Sequence, residues 1–191
     1  MNLPNKLTML RIILIPVMIA VYLLFDVFGV WTYIAMGVIY VVASYTDYLD
    51  GKIARKRNMV TTFGKFMDPL ADKLLVLTAI MILSDAAARG LLDVWMPFWV
   101  PIVILARELI VTSIRLVAVG EGTVIAASGL GKAKTALTMA ATIYYFFVLP
   151  WNLHPVLNIL GIVLMAGAVI LTLVSGADYF WKNRKIIFAS V

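Results

Sequence analysis

Residues 47–72 read DYLDGKIARKRNMVTTFGKFMDPLAD, and this stretch decides how the rest of the chain is organised. Four of the ten acidic residues fall inside it, Asp47, Asp50, Asp68 and Asp72, together with the cations Lys52, Arg55, Lys56, Arg57 and Lys65. It is flanked by apolar runs on both sides. Asp47, Asp50, Gly51, Ala54 and Arg55 recur at helical offsets and share one face of the helix that ends the first run. Gly64, Asp68 and Asp72 stand four apart and share a face of the helix that opens the second, provided it starts before Gly64 with Thr61 or Thr62 as its cap. Pro69 allows a start at Asp68 instead, but the earlier start aligns all three residues. Two antiparallel helices joined by a cationic turn bring these faces together.

Moving outward, the whole chain has 191 residues of which 63% are hydrophobic and 14% charged, with a mean hydropathy of +1.01. Soluble domains are about 45 to 50% apolar and a quarter charged, so this composition requires an apolar solvent and excludes intrinsic disorder. The expected fold is an all-α integral membrane protein, a single domain over residues 1–191 with six transmembrane helices. The helices are expected from about Leu10, Trp31, Gly64, Pro97, Lys134 and Pro155, each near the ~20 residues a span needs. Thr8 is expected to cap the first and Pro16 to kink it, while Pro150 closes the fifth and Asn152 with Pro155 opens the sixth. The first run is read as a helix rather than a cleaved leader, because five more follow it.

The net charge of +6 is sorted along the chain. Lys6 and Arg11, then Lys52 to Lys65, then Arg115, Lys132 and Lys134, then Lys182, Arg184 and Lys185 occupy alternate connections, whereas the other connections carry only Arg89. The positive-inside rule places the cationic side, with both termini, in the cytoplasm. The basic balance is therefore a topology signal and not a nucleic-acid footprint. There is no cysteine and a single histidine, His154, which excludes disulfides, thiolate chemistry and cysteine-ligated metals. His154 is read as an interfacial residue.

An aspartate within a bilayer is costly, about 2.5 to 3.5 kcal/mol on insertion scales, so four together call for partners of opposite charge. Hard oxygen donors suit Mg²⁺ or Mn²⁺, and two ions match four carboxylates while leaving positions for substrate phosphate oxygens. Gly51, Ala54 and Gly64 leave space on those faces for a base or pyrophosphate to approach the backbone. Arg55 is equally suited to a nucleotide phosphate, a topology signal or a neighbouring carboxylate.

The combined pattern, Asp47-x2-Asp50-Gly51-x2-Ala54-Arg55-x8-Gly64-x3-Asp68-x3-Asp72, fixes eight residues, with a chance agreement of roughly 10⁻¹⁰ per start position at about one in twenty each. It resembles the signature of the CDP-alcohol phosphotransferase family at all eight positions. The resemblance implies a six-helix membrane enzyme, usually homodimeric, that transfers a phosphatidyl or related group from a CDP-linked donor to an alcohol and releases CMP. It implies that Asp47, Asp50, Asp68 and Asp72 bind two divalent ions, that Asp72 is the base for the attacking hydroxyl, and that Gly51, Ala54, Arg55 and Gly64 belong to the nucleotide pocket.

Which alcohol is attacked must be decided elsewhere. Arg107 and Arg115 share a face of the fourth helix, with Glu108 beside Arg107, and Lys132 and Lys134 begin the fifth. Four cations near one surface suit anionic lipid headgroups or a phosphorylated acceptor. Gly129 to Lys134 is not a phosphate loop, since Ala133 follows Lys132. The arrangement Arg107-Glu108 with Arg115, the run Gly131 to Thr135, and the segment Pro4-Asn5-Lys6-Leu7-Thr8 with Arg11 are similar to the branch of the family that uses CDP-diacylglycerol and glycerol 3-phosphate. That likeness implies donor contacts from Asn5 and Thr8 and an acceptor phosphate held by Arg107, Arg115, Lys132 and Lys134. It also implies a multi-pass protein of a bacterial-type inner membrane. Inositol phosphate, serine or choline as acceptor is the close alternative, and a divalent-cation transporter the distant one.

Overall fold

A computed structural model of the chain describes residues 2–56, 61–120, 122–123, 125–126 and 128–187, with the backbone alone at 54–56, 65 and 185–187. Its described residues form helices and no strands: α1 (Leu3–Leu23), the single turn α2 (Phe25–Phe28), α3 (Trp31–Lys56), α4 (Thr62–Ala88), α5 (Trp99–Gly120), α6 (Gly129–Phe147) and α7 (Pro155–Ile187), with a 3₁₀ turn at Leu149–Trp151. The six long helices fall where the apolar runs do. Two boundaries differ from the sequence reading. Helix α1 starts at Leu3, capped by Asn2, whose Oδ1 accepts from the Asn5 amide at 3.3 Å. Pro4 is preset for a first turn, which frees Thr8 from capping and buries it inside the helix. Helix α6 likewise starts ahead of Lys134, because Ser128 Oγ accepts from the Gly131 amide at 3.1 Å. The early start of α4 holds: Thr61 Oγ1 accepts from the Gly64 amide at 3.0 Å, and the helix runs through Pro69. Gly90 follows α4 in the left-handed region at φ 68°, a backbone conformation strained for any residue with a Cβ.

The distribution of side chains is the reverse of a water-soluble bundle. Thr32, Thr138, Thr142, Thr172 and Ser175 are buried, whereas Ile13, Val38, Ile102, Leu116, Val163 and Ile170 face outward. Apolar solvent removes the hydrophobic drive between helices, so small and hydroxylated residues that allow close approach collect at the contacts. Four of these hydroxyls, all but Thr32, are satisfied within their own helices, as in Thr142 to the Thr138 carbonyl (2.8 Å) and Thr172 to the Ala168 carbonyl (2.7 Å). Gly37 shows how tight the α3–α6 contact is: a Cβ there would lie 2.7 Å from Phe147 Cε2. Helices α1 and α7 are long and apolar enough to cross a membrane by length and composition alone. The other four carry the carboxylates and cations described below, which lower their hydropathy.

Successive long helices run in alternate directions, as the contacts at their ends require. Helix α1 packs on α3 and α4, α6 joins α3 to α7, and α5 packs on α7 and α4. At one end Tyr22 donates to Asp85 Oδ2 (2.6 Å), Arg89 pairs with the same oxygen (2.8 Å), and Tyr145 donates to the Trp95 carbonyl (2.9 Å). Trp31 and Trp151 meet edge to face there, as do Trp95 and Trp99. The opposite end collects the aspartates and most of the lysines and arginines.

Candidate active site

The acidic half of the site is built by the α1 start, the α3 end and the α4 start. Arg11, fully buried on α1, reaches Asp47 Oδ1 with Nη1 at 2.8 Å and Asp50 Oδ2 with Nη2 at 2.5 Å. Asp50 is only 3% exposed and Asp47 is 42% exposed, so the guanidinium carries the charge of the inner carboxylate while the outer one opens to solvent. A buried carboxylate needs such a partner, and the guanidinium donates to Asp50 while pairing by charge with Asp47. On α4, Asp68 Oδ1 accepts from Thr8 at 2.6 Å. Two turns earlier, Thr61 donates to Asn5 Oδ1 at 2.8 Å. Gly64 sits between them: a Cβ there would lie 3.5 Å from both Asn5 Oδ1 and Asp68 Oδ2. A Cβ at that distance makes ordinary contact, and a longer side chain would crowd Asn5 or Asp68. Asp72 is further along α4, within electrostatic reach of Asp47, Arg11, Glu108 and Lys134.

The cationic half lies between α4, α5 and α6. A cavity of about 460 Å³ is lined by Lys73, Arg107, Glu108, Thr112, Arg115, Gly131, Lys132 and Thr135, among others. Beside it, a small cavity of about 40 Å³ is lined by Asp72, Lys73, Glu108, Lys134, Thr135 and Thr138 with apolar neighbours. The two share Lys73, Glu108, Thr135 and Met139 as a common wall. Glu108 Oε1 accepts from Arg107 Nη1 at 3.0 Å and from Lys134 Nζ at 2.6 Å. Arg115 donates through Nε to the hydroxyl of buried Tyr179 on α7 at 3.1 Å, and its guanidinium lies 5.5 Å from that ring's centre. Stacking on the ring and one fixed N–H hold the fork in place and leave its Nη groups to face other acceptors. Gly176 allows α7 to close against Arg107, whose Cγ would be 3.0 Å from a Cβ at that position.

Most of the residues singled out from the sequence come together, in two groups. Asn5, Thr8, Gly64, Asp47, Asp50 and Asp68 converge around α1, and Arg107, Arg115 and Lys132 line one cavity. Gly51 lies on α3 next to Asp50. The side chains of Ala54 and Arg55 lie outside the described residues. Lys134 differs from expectation. It is 5% exposed and tied to Glu108, so it faces the cavity of Asp72 rather than the large cationic one. Glu108 is likewise more than a partial balance to Arg107, since it holds two cations. Arg11 was read as a topology signal, yet it is the counter-charge of the aspartates. Its position within an apolar run was the available clue, because an ionisable residue inside a span marks a site by default. Lys73 and Tyr179 were not singled out at all.

Asp47, Asp50, Asp68 and Asp72 offer only hard oxygen donors balanced by one guanidinium, a set whose chemistry fits Mg²⁺ or Mn²⁺. Among the described residues no three carboxylate or imidazole side chains are drawn into a ligand cluster.

An apolar all-helical fold with aspartates gathered at one end of the bundle and a basic cavity beside Asp72 fits a membrane phosphotransferase. The CDP-alcohol phosphatidyltransferase family model matches residues 1–174. The chain belongs to that family and is an enzyme of that class. Among individual relatives, it is 42% identical to the CDP-diacylglycerol–glycerol-3-phosphate 3-phosphatidyltransferase of Bacillus subtilis (strain 168), over 99% of this chain and 98% of the relative. It is 39% identical to a probable phosphatidylglycerophosphate synthase of Mycobacterium tuberculosis, over 97% of this chain and 83% of the relative. The CDP-diacylglycerol–glycerol-3-phosphate 3-phosphatidyltransferase of Wigglesworthia glossinidia brevipalpis is 31% identical over 98% of both chains.

Proposed function

We propose that this enzyme transfers the phosphatidyl group of CDP-diacylglycerol to glycerol 3-phosphate, giving phosphatidylglycerol phosphate and CMP. The observation that carries the choice of acceptor is the large cavity, where Lys73, Arg107, Arg115 and Lys132 face a single carboxylate, Glu108. A net positive cavity suits an acceptor that brings its own phosphate and disfavours choline, which carries a quaternary ammonium and no anionic group. The names of the nearly full-length relatives support the same donor and acceptor.

In this reading the donor's nucleotide end lies against Asn5, Thr8, Gly51, Ala54, Arg55 and Gly64, and its acyl chains extend into lipid. The acceptor phosphate rests in the cationic cavity through Arg107, Arg115 and Lys132, with Lys134 and Glu108 forming the wall toward Asp72. Asp72 takes the proton of the acceptor hydroxyl as its oxygen attacks the phosphorus that bears the diacylglycerol. A P–O bond forms there while the bond to the CMP oxygen breaks, so CMP leaves with the electron pair. Two divalent ions held by Asp47, Asp50, Asp68 and Asp72 would neutralise charge on the diphosphate and the departing CMP. Arg11 holds Asp47 and Asp50 in place, and Thr8 does the same for Asp68.

The same reading places all six long helices across a bacterial-type inner membrane, as one domain with both termini and the site on the cytoplasmic face. The grouping of Lys6, Lys52, Arg115, Lys132 and Lys182 at the site's end supports this orientation, and the family resemblance supports a homodimer. The test is CMP release by the purified protein with CDP-diacylglycerol and Mg²⁺ or Mn²⁺, across glycerol 3-phosphate, inositol phosphate, serine and choline. Glycerol 3-phosphate is expected to exceed the others by at least tenfold. Equal rates would reject the acceptor assignment, and no CMP release with any alcohol would reject the reaction.

A further inference from the structure

We infer that Lys73 is a specificity-determining residue, one that binds the anionic end of the acceptor at the junction of the two cavities. The inference rests on the acceptor reading above. Lys73 follows Asp72 directly, one residue past the last position of the aspartate signature. Four residues line both cavities, Lys73, Glu108, Thr135 and Met139, and Lys73 is the only cation among them. A ligand that reaches from the cationic cavity to Asp72 passes this wall.

Two of the neighbouring cations are already paired, whereas Lys73, like Arg115 and Lys132, forms no ion pair among the described residues, and of these three only Lys73 also lines the cavity of Asp72. Arg107 and Lys134 both donate to Glu108, so part of their charge is already balanced. Lys73 donates to Thr112 Oγ1 on α5, a neutral hydroxyl, and forms no ion pair among the described residues. Its ammonium therefore keeps its full charge, eleven residues into a helix that begins at Thr62, at the wall of a cavity open to ligands. An anionic ligand in the cavity supplies the missing balance. A lysine also suits this task in form, because its flexible stem lets the ammonium swing from Thr112 to a phosphate oxygen without moving α4. A short acceptor has to present its hydroxyl to Asp72 while its phosphate stays among the cations. The cation at the junction is the one that fixes this spacing, since Lys134, the other cation near Asp72, is held by Glu108 at 2.6 Å.

The competing account is that the Lys73–Thr112 bond only fastens α4 to α5, and the pair of variants Lys73→Met and Thr112→Val separates the two. Full-length protein in detergent or vesicles is assayed for CMP release, with KM measured separately for glycerol 3-phosphate and CDP-diacylglycerol, and with inorganic phosphate as competitor. Lys73→Met is expected to raise KM for glycerol 3-phosphate at least tenfold, hold KM for CDP-diacylglycerol within twofold, and weaken competition by phosphate to the same degree. Thr112→Val is expected to leave KM for glycerol 3-phosphate within twofold. An unchanged KM in Lys73→Met overturns the inference, and so does an equal rise in both variants. Should Lys73→Met fail to assemble, Lys73→Gln and Lys73→Arg serve in its place: the glutamine variant must raise KM and the arginine variant hold it near wild type, and equal values overturn the inference. A wild-type enzyme that ignores glycerol 3-phosphate would instead reject the underlying acceptor assignment, an outcome read before any variant is made.

Discussion

Replacing Arg11 by Met tests the acidic half of the site most directly. The guanidinium is fully buried and spans Asp47 at 2.8 Å and Asp50 at 2.5 Å, and Asp50 is itself 3% exposed. Removing one partner of a buried ion pair leaves the other charge without compensation and costs about 3 to 5 kcal/mol. For a chain of this size each kcal/mol shifts the unfolding midpoint by roughly 2 to 4 °C, so Arg11→Met is expected to unfold about 6 to 20 °C below wild type in metal-free detergent. Tryptophan fluorescence follows the transition, since five tryptophans are spread along the chain. Added Mg²⁺ or Mn²⁺ supplies the lost positive charge, and saturation at a hundred times Kd contributes about 2.7 kcal/mol. The ions are therefore expected to raise the variant's midpoint more than that of wild type, whose carboxylates already have Arg11. Arg11→Lys, which keeps the charge and loses the fork, is expected to fall between the two. A metal-free midpoint within 2 °C of wild type, or a larger metal effect on wild type than on the variant, would refute the role assigned to Arg11.

Asp72→Asn is expected to keep its unfolding midpoint while CMP release falls by about 10² to 10⁴, the usual contribution of a general base; wild-type turnover would remove Asp72 from that role. Glu108→Ala strands Lys134, which is 5% exposed, and is expected to lose about 3 to 5 kcal/mol. The double variant with Lys134→Met should recover much of that loss in the same unfolding assay, and additive losses would count against the pair. Gly37→Leu introduces a side chain where even a Cβ would lie 2.7 Å from Phe147 Cε2; a loss of about 1 to 3 kcal/mol is expected from overpacking, relieved in part by Phe147→Ala.

The positions of the six long helices were legible because apolar length and punctuation are local properties. Thr61 capping α4 is a case in point, and so is the shared face of Gly64, Asp68 and Asp72 that follows from it. Boundaries slipped where a local cap competed with a better one: Thr8 has the chemistry of an N-cap, but Asn2 ahead of Pro4 ends the helix first and leaves Thr8 for Asp68. Pairings across the bundle were not legible. Arg11 and Asp50 are 39 residues apart and Lys134 and Glu108 are 26 apart, so nothing in either neighbourhood states which cation meets which carboxylate. Lys73 escaped notice for a different reason. A lysine beside an aspartate reads as its neighbour on the helix, and only the packing of α5 and α6 reveals that it faces a second cavity.

The acidic end is written early in the chain, in α1, α3 and α4, while the cationic cavity is written late and is finished only when Tyr179 of α7 meets Arg115. A growing chain thus completes its acidic scaffold before the helix that orients Arg115 has left the ribosome. Translation order alone separates the two halves of the site in time, and the second depends on a residue past position 174, where the family match stops. Shortening the protein to its family-defined region would keep Asp47, Asp50, Asp68 and Asp72 and still leave that arginine without its aromatic rest.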